Sequence, residues 1–294
     1  METKKNTILV PVDFSDIAKN ALSHAVQVAK HFNNNLALLH VVEESVLPSF
    51  LTFGKDNAAA QTENEQIAKG LQDMAAEIKT KHGIDCTVVT KTGRIYRTIA
   101  ETATELGCDS IIMGSNGAAG FQRVIGSNAS RVISHSDVPV VVVKSEAHDF
   151  RAYKNIVFPL DLTIESRQKV KWAIHIGKAY NSIINILTYK IGDEFLDNKM
   201  MLGLRQVERL LDENGVQYKV EVLEKLDENF ADATLGYAEK IDADLMMIMT
   251  QSEDREFSEY IIGTYAQQIV NKSQKIPVIC INPQPMGYAT DYFA

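Results

Sequence analysis

The chain has 294 residues, 45% hydrophobic and 23% charged, with 30 Lys and Arg against 38 Asp and Glu for a net charge of −8. That length suits about two domains, each able to bury a core. The acidic balance argues against nucleic acid or an anionic membrane as a partner held through bulk electrostatics, while leaving room for a small anion in a local site.

Three cysteines, Cys86, Cys108 and Cys280, are an odd number at wide spacing, each in or beside an apolar run. They read as buried thiols in a reducing compartment, neither a disulfide framework nor a metal cluster. The start, Met1 to Asn6, leads into only a few apolar residues before Pro11 and Asp13, so no signal peptide or spanning helix is expected there. The expected location is the cytoplasm.

In chain order, Thr7 to Val12 is a short apolar run suited to a strand buried on both faces. It stops at Asp13-Phe14-Ser15-Asp16, where Ser15 or Asp16 can cap a helix whose apolar positions, Ala18, Ala21, Leu22, Ala25, Val28, Ala29 and Phe32, recur by threes and fours. Asn33-Asn34-Asn35 ends the helix, and Leu36 to Val42 is a second buried strand. Glu43 to about Ala60 keeps no steady period and reads as a surface loop or a lid. A helix follows from about Thr62 to Lys81, then a strand from Asp85 to Thr90, a turn at Thr92-Gly93-Arg94 and a helix from Ile95 to Leu106. The strand Ser110 to Met113, a glycine-rich turn, a helix from Ala129 to His135 and the strand Val138 to Val143 close the unit. Five strands alternating with four helices predict a parallel, doubly wound sheet.

The glycine-rich turn, Gly114-Ser115-Asn116-Gly117 with Gly126-Ser127 beyond it, lies between a strand and a helix start. Glycines there let backbone N–H groups approach an anion, and the helix N-terminus adds unpaired donors and partial positive charge. An ordinary turn, with Ser127 as N-cap, would use the same residues.

After a polar linker, Lys144 to about Tyr153, the pattern begins again. Ile156 to Thr163 repeats Ile8 to Ser15 at an offset of 148, which also sets Ala25 on Ala173 and Leu36 and Leu38 on Ile184 and Ile186. Gly126-Ser127 matches Gly263-Thr264 at an offset of 137, so the second copy is about eleven residues shorter, mostly through loss of the Glu43–Ala60 segment. One fold is written twice. The domains read as residues 1–147 and 153–283, with a tail from 284 to 294.

Together, the run from Ile8 to Ser15, Leu39-His40-Val41-Val42, and Met113-Gly114 with Gly117, Gly126 and Ser127 before the valine-rich last strand resemble the universal stress protein family. The resemblance covers both halves. It implies tandem Rossmann-like domains of the adenine nucleotide alpha hydrolase type, and ATP, with or without Mg2+, as ligand where the glycine pattern is kept. By the same resemblance, Pro11, Val12 and Asp13 would line base and ribose, and Val41 would pack on adenine. Met113, Gly114, Gly117, Gly126 and Ser127 would take ribose and phosphates. These positions fall at the carboxyl ends of strands one and four, where a doubly wound sheet opens a crevice. Asp13 is equally suited to a helix N-terminus without any ligand, and Arg123 can reach a terminal phosphate or stand in solvent. The family pattern has nine residues between its second and third glycines; here there are eight, Ala118 to Ile125.

The second copy departs further. Set against Gly114 to Gly117 are Thr250-Gln251-Ser252-Glu253, followed by Asp254, Arg255 and Glu256. A carboxylate about 4 Å from a phosphate repels it by about 1 kcal/mol in water and about 4 kcal/mol in a partly screened cleft. The second domain is therefore expected not to bind ATP. Met246 to Met249 reads as a buried strand, Trp172 as core, and the seven histidines show no metal-ligand spacing. No phosphate-loop lysine, nucleophile elbow or catalytic carboxylate pair is present, so no catalytic residue is assigned. The expectation is an ATP-binding regulatory protein with little or no hydrolysis, acting on an unidentified protein partner. The alternatives are a nucleotide-free scaffold and a slow ATP-hydrolysing enzyme. The last strands, Val138–Val143 and Val278–Ile281, would be apolar sheet edges if left uncovered, and the resemblance implies that they pair with each other within the chain; a further homodimer is compatible.

Overall fold

The computed structural model describes residues 6–43, 57–115, 127–144, 150–227, 229–250 and 264–283, with the side chains of 57–64, 127 and 264 outside the description. The first half runs β1 (Thr7–Pro11), α1 (Asp16–Phe32), β2 (Asn35–Glu43), α2 (Asn57–His82), β3 (Cys86–Gly93), α3 (Ile95–Glu105), β4 (Ser110–Gly114), α4 (Ser127–His135) and β5 (Val140–Val143). The second repeats it as β6 (Asn155–Pro159), α5 (Glu165–Gln168), α6 (Val170–Tyr180), β7 (Ile183–Tyr189), α7 (Glu194–Glu213), β8 (Gln217–Leu223), α8 (Phe230–Lys240), β9 (Leu245–Met249), α9 (Thr264–Lys272) and β10 (Val278–Ile281).

The local signals act as their chemistry predicts. Ser15 caps α1, its Oγ accepting from Ala18 N at 3.2 Å, and Asn33 ends the helix in the left-handed conformation at φ 55°. Asn181 closes α6 in the same way at φ 52°. A carboxylate ties down the start of each leading strand: Asp109 Oδ2 accepts from Thr7 N at 3.0 Å, and Asp244 Oδ2 from Asn155 N at 2.8 Å. Helix α2 starts at Asn57, earlier than the expected Thr62, because Ala58, Ala59 and Ala60 favour helix without contributing to any apolar period. Residues 44–56 of the expected loop lie outside the described residues.

The strands form one ten-stranded sheet in the order β3-β2-β1-β4-β5-β10-β9-β6-β7-β8. Each half is parallel, and the halves meet where β10 pairs antiparallel with β5, Val278 opposite Val142, Ile279 opposite Val141 and Cys280 opposite Val140. All eight residues of these two strands are buried. Burying a Val or Ile side chain contributes about 1.5–3 kcal/mol, so this seam is a continuous core and not a contact of two surfaces. One apolar cluster on each face of the sheet runs across both halves.

On one face α1 lies against α6. His31 stacks on Tyr180 with ring centroids 3.8 Å apart and donates from Nε2 to Ala179 O at 2.8 Å, while Phe32 stacks on His175 at 5.1 Å. Histidines that carried no sequence signal thus build the contact between the halves. Trp172 is half-buried, not fully interior: it sits where Val138 and Pro139 of the first half approach Ile281 and Asn282 of the second. Its counterpart at the offset of 148 is His24, which is 5% exposed, edge-on to Phe150, with Nε2 2.5 Å from Tyr153 Oη.

Burial lowers the His24 imidazole to a pKa of about 4, against about 6.5 in an unfolded chain. The unfolded state therefore binds more protons between these values, and stability falls as pH drops through that window. In urea unfolding at pH 7 and pH 4.5, His24→Gln should lose less stability than the wild type, by on the order of 3 kcal/mol over the full window.

Candidate functional site

In the first half β1, β2 and β3 are laid down in one direction from β1, and β4 and β5 in the other. The connections after β1 and β4 therefore diverge, and a crevice opens at the carboxyl ends of these strands. A cleft of about 280 Å³ occupies it. Pro11, Val12, Asp13, Val41, Met113 and Gly114 all line this cleft, together with His40, Ile95, Ser115 and Asn128. Six of the nine residues singled out in the sequence thus come together. Ser127 opens α4, whose next residues, Asn128 and Ala129, form part of the wall. Gly117, Gly126 and Arg123 lie outside the described residues.

The cleft floor is fixed by backbone bonds. Val12 N donates to Leu39 O at 2.8 Å, and His40 Nδ1 donates to Val12 O at 2.7 Å, so His40 holds the end of β1 onto β2. Asp13 is exposed at the mouth, and its Oδ1 accepts from Ser15 N at 3.0 Å and Ser15 Oγ at 2.5 Å. Oδ2 is the carboxylate oxygen this turn does not use. Between Asp13 and Ser15 the chain passes through Phe14 at φ 63°, a conformation that is uncommon for a bulky residue and costs about 1–3 kcal/mol. The Phe14 ring is anchored against α2, where a Cβ on Gly70 would lie 3.1 Å from Phe14 Cε1.

Gly114 is required by packing inside the chain. A Cβ there would lie 2.5 Å from Ile17 Cγ2 and 2.8 Å from Ile17 O. The missing side chain is what lets the first turn of α1 lie directly over β4.

The second half fills the same place differently. Strand pairing sets Ser110 opposite Ile8 and Leu245 opposite Ile156, so Gly114 corresponds to Met249 and Ser115 to Thr250. The amides agree, Ser115 N donating to Val143 O and Thr250 N to Ile281 O. This corrects the sequence alignment by one residue: Ser252, not Glu253, counts opposite Gly117, both outside the described residues. The slip arose because no apolar position in Met246–Met249 distinguishes one register from the next. In the second half a Met249 side chain stands where Gly114 leaves room for the first turn of α1, and the matching helix is not continuous. It breaks into α5 and α6 around Lys169, which stands where the first half has Ala21.

Lys169 is 1% exposed, and its Nζ donates to Pro159 O and Ser166 O, both at 2.7 Å, above the Phe158 ring at 4.2 Å. Three further exchanges change the wall of the cleft: Val41 becomes Tyr189, Ile95 becomes Phe230 and Asn128 becomes Tyr265. Their rings form a row, Tyr189 to Phe230 at 4.7 Å and Phe230 stacked on Tyr265 at 5.5 Å. None of these aromatic residues was singled out in the sequence. Only Val41 and Tyr189 are related by the offset of 148 that matches the leading strands; Phe230 and Tyr265 lie beyond the shortened loop, at other offsets. A cleft of about 230 Å³ remains, with Asp161 repeating the Asp13 turn through bonds from Thr163 N at 2.8 Å and Thr163 Oγ1 at 2.5 Å. A larger cavity, about 550 Å³, lies at the amino ends of β6, β9 and β10, away from the crevices, with Arg151 ion-paired there to Asp242 and Asp244.

Fold and site together define a tandem pair of doubly wound α/β domains, each with a crevice at its topological switch point. The universal stress protein family model matches residues 5–144 and again 152–282, and the chain belongs to that family. Universal stress protein MJ0531 of Methanocaldococcus jannaschii is 31% identical over 141 residues, 47% of this chain and 81% of its own length. Universal stress protein YxiE of Bacillus subtilis is 29% identical over 146 residues, 47% of this chain and 99% of its own. Among solved structures, a universal stress protein from Archaeoglobus fulgidus superposes with a TM-score of 0.75 at 18% identity, covering 96% of this chain and 97% of that one. That last similarity establishes the fold of both halves together. No helix among the described residues is long and apolar enough to cross a membrane.

Two substitutions test this account. Gly114→Ala should destabilise the protein by about 1–3 kcal/mol, read from urea unfolding, because backbone lies in the way of the added methyl. Burial lowers the Lys169 amine to a pKa of about 7, against about 10.4 unfolded. The folded state binds fewer protons between these values, so Lys169 makes stability rise with pH from about 7 to about 10. Lys169→Met should flatten that rise relative to the wild type.

Proposed function

We propose that the chain is a nucleotide-responsive stress protein that holds one ATP, with or without Mg2+, in the crevice of its first domain and turns it over slowly or not at all. The family includes nucleotide-binding members, and the first half keeps the elements the family resemblance ties to ATP. The observation that carries the reading is the contrast between the two crevices. Val41, Ile95 and Asn128 line the first, of about 280 Å³, whereas the second, of about 230 Å³, is walled by Phe230 and Tyr265, with Tyr189 packed on Phe230.

In this reading Val41 packs on adenine, and Pro11, Val12 and Asp13 line base and ribose, with Asp13 Oδ2 accepting from a ribose hydroxyl while Oδ1 stays with Ser15. Met113 and Gly114 bound the ribose. Gly117, Gly126 and Ser127 offer donors to the phosphates at the start of α4, where unpaired N–H groups and the helix dipole favour negative charge. Among the described residues of the cleft, Asp13 is the one carboxylate, and its engagement by Ser15 does not equip it as a base for water. Binding with little chemistry follows. Occupancy acts as a signal if a protein partner, in the cytoplasm, meets the filled and empty states with different affinity.

The test is to denature freshly purified protein made without added nucleotide, quantify the adenine nucleotide released per chain by mass spectrometry, and titrate the stripped protein with ATP by calorimetry. One site per chain is expected. Two equivalent sites would refute the one-site reading, and no binding at millimolar ATP would leave the scaffold reading in its place.

A further inference from the structure

We infer that the outer edge of β8 is a surface on which two copies of this chain associate, the two edges pairing antiparallel about a two-fold axis at Val220. The inference does not depend on the nucleotide reading.

Strand β8, Gln217–Leu223, closes one end of the ten-stranded sheet, and among the described residues no strand lies beyond it. In a parallel ladder alternate residues turn their backbone groups to the same neighbour. Leu223 O accepts from Lys190 N at 2.8 Å, which puts Gln217, Lys219, Glu221 and Leu223 on the β7 side. The N–H and C=O groups of Tyr218, Val220 and Val222 therefore point away from the sheet. Such a row is a template for a further strand.

The side chains of the edge decide which strand fits it. With the two Val220 residues opposite each other, Lys219 faces the partner's Glu221 and Glu221 faces the partner's Lys219. Tyr218 meets the partner's Val222, and Val222 the partner's Tyr218. The three outward residues then form hydrogen-bonded pairs, and the two Lys–Glu pairs fall at the positions between them, where opposed side chains stand closer. Opposite charges, and an aromatic against a β-branched residue, are both favourable across strands. Lys219 is exposed and Glu221 half-buried, and neither forms an ion pair with another described residue of its own chain. On the other face Tyr218 and Val220 pack on the core that holds Val207 and Leu211 of α7, and Tyr218 Oη donates to Asp212 Oδ2 at 3.1 Å. The strand is thus held ready before any partner arrives.

A lysine on an edge ordinarily guards it against stray strands. Glu221, two positions on, makes that guard selective. An unrelated strand meets an unmatched charge, while a second copy brings the complement. The opposite edge of the sheet, β3, has no such pattern: its single charged residue, Lys91, is committed to Glu105 of α3. Because the pairing is two-fold, it closes on itself and stops at a dimer.

The experiment is sedimentation velocity on full chains: the wild type, Lys219→Glu, Glu221→Lys, and an equimolar mixture of the two variants. The wild type should sediment as a dimer at about 100 μM. Each variant alone sets like charges opposite each other twice and should raise the dimer Kd about tenfold or more. In the mixture every Glu at these positions faces a Lys of the other chain, so the dimer should return, and its return shows that both variants fold. A monomeric wild type overturns the inference. So do species larger than a dimer, which would mean that β8 meets β3 of another copy, and a dimer that neither variant weakens, which would place the interface elsewhere. Variants that stay monomeric when mixed overturn it as well, because their defect would then not be one of charge pairing.

Discussion

The antiparallel pairing of β5 with β10 is the constraint on which the rest of the molecule depends. Each half alone would end in a four-residue strand of Val, Ile or Cys with one unpaired edge, a template for association with any other chain. Pairing the two edges removes both at once and aligns the halves about an approximate two-fold axis. Once the strands are joined, α1 must lie against α6, and the stacked pairs His31–Tyr180 and Phe32–His175 follow from that placement. The linker needs only to span the gap, because the sheet determines the geometry.

Symmetry of backbone does not carry symmetry of surface. A glycine at 114 lets α1 pass unbroken over β4; in the second half Met249 stands in its place, and the matching helix is interrupted at the buried Lys169. Similarly, His24 and Trp172 occupy matching places on the two sides of the seam, one buried with a tyrosine and the other half-exposed among residues of both halves. Small differences in side-chain volume thus change the walls of the two crevices, with the strand order of the two halves unchanged.

Most of the fold was legible in the sequence, for a physical reason. Buried parallel strands must be short and apolar throughout, as in Leu9-Val10 and Val140–Val143, and their helices must carry an apolar stripe; both patterns survive without knowledge of partners. The repeat offset made the second half as readable as the first, except at β9, where a run of methionine and isoleucine has no internal landmark and the register slipped by one. The lining of the first cleft was legible where strand ends define it, at Pro11, Val12, Asp13, Val41, Met113 and Gly114. Contacts between residues distant in sequence were not legible. Asn282 reaches Ile133 across 149 positions, and nothing near either residue reports the contact. The aromatic row and Lys169 were hidden because an aromatic or lysine position in isolation is compatible with many roles.

The linker between the halves has a consequence for how such a molecule can vary. In a dimer of identical chains every substitution is made twice, so a tyrosine that closes one crevice closes both. Here Tyr189 and Val41 are encoded separately, and the wall of one compartment can change while its twin keeps its own. Joining the copies end to end frees the two crevices from the symmetry that a pair of identical chains would impose.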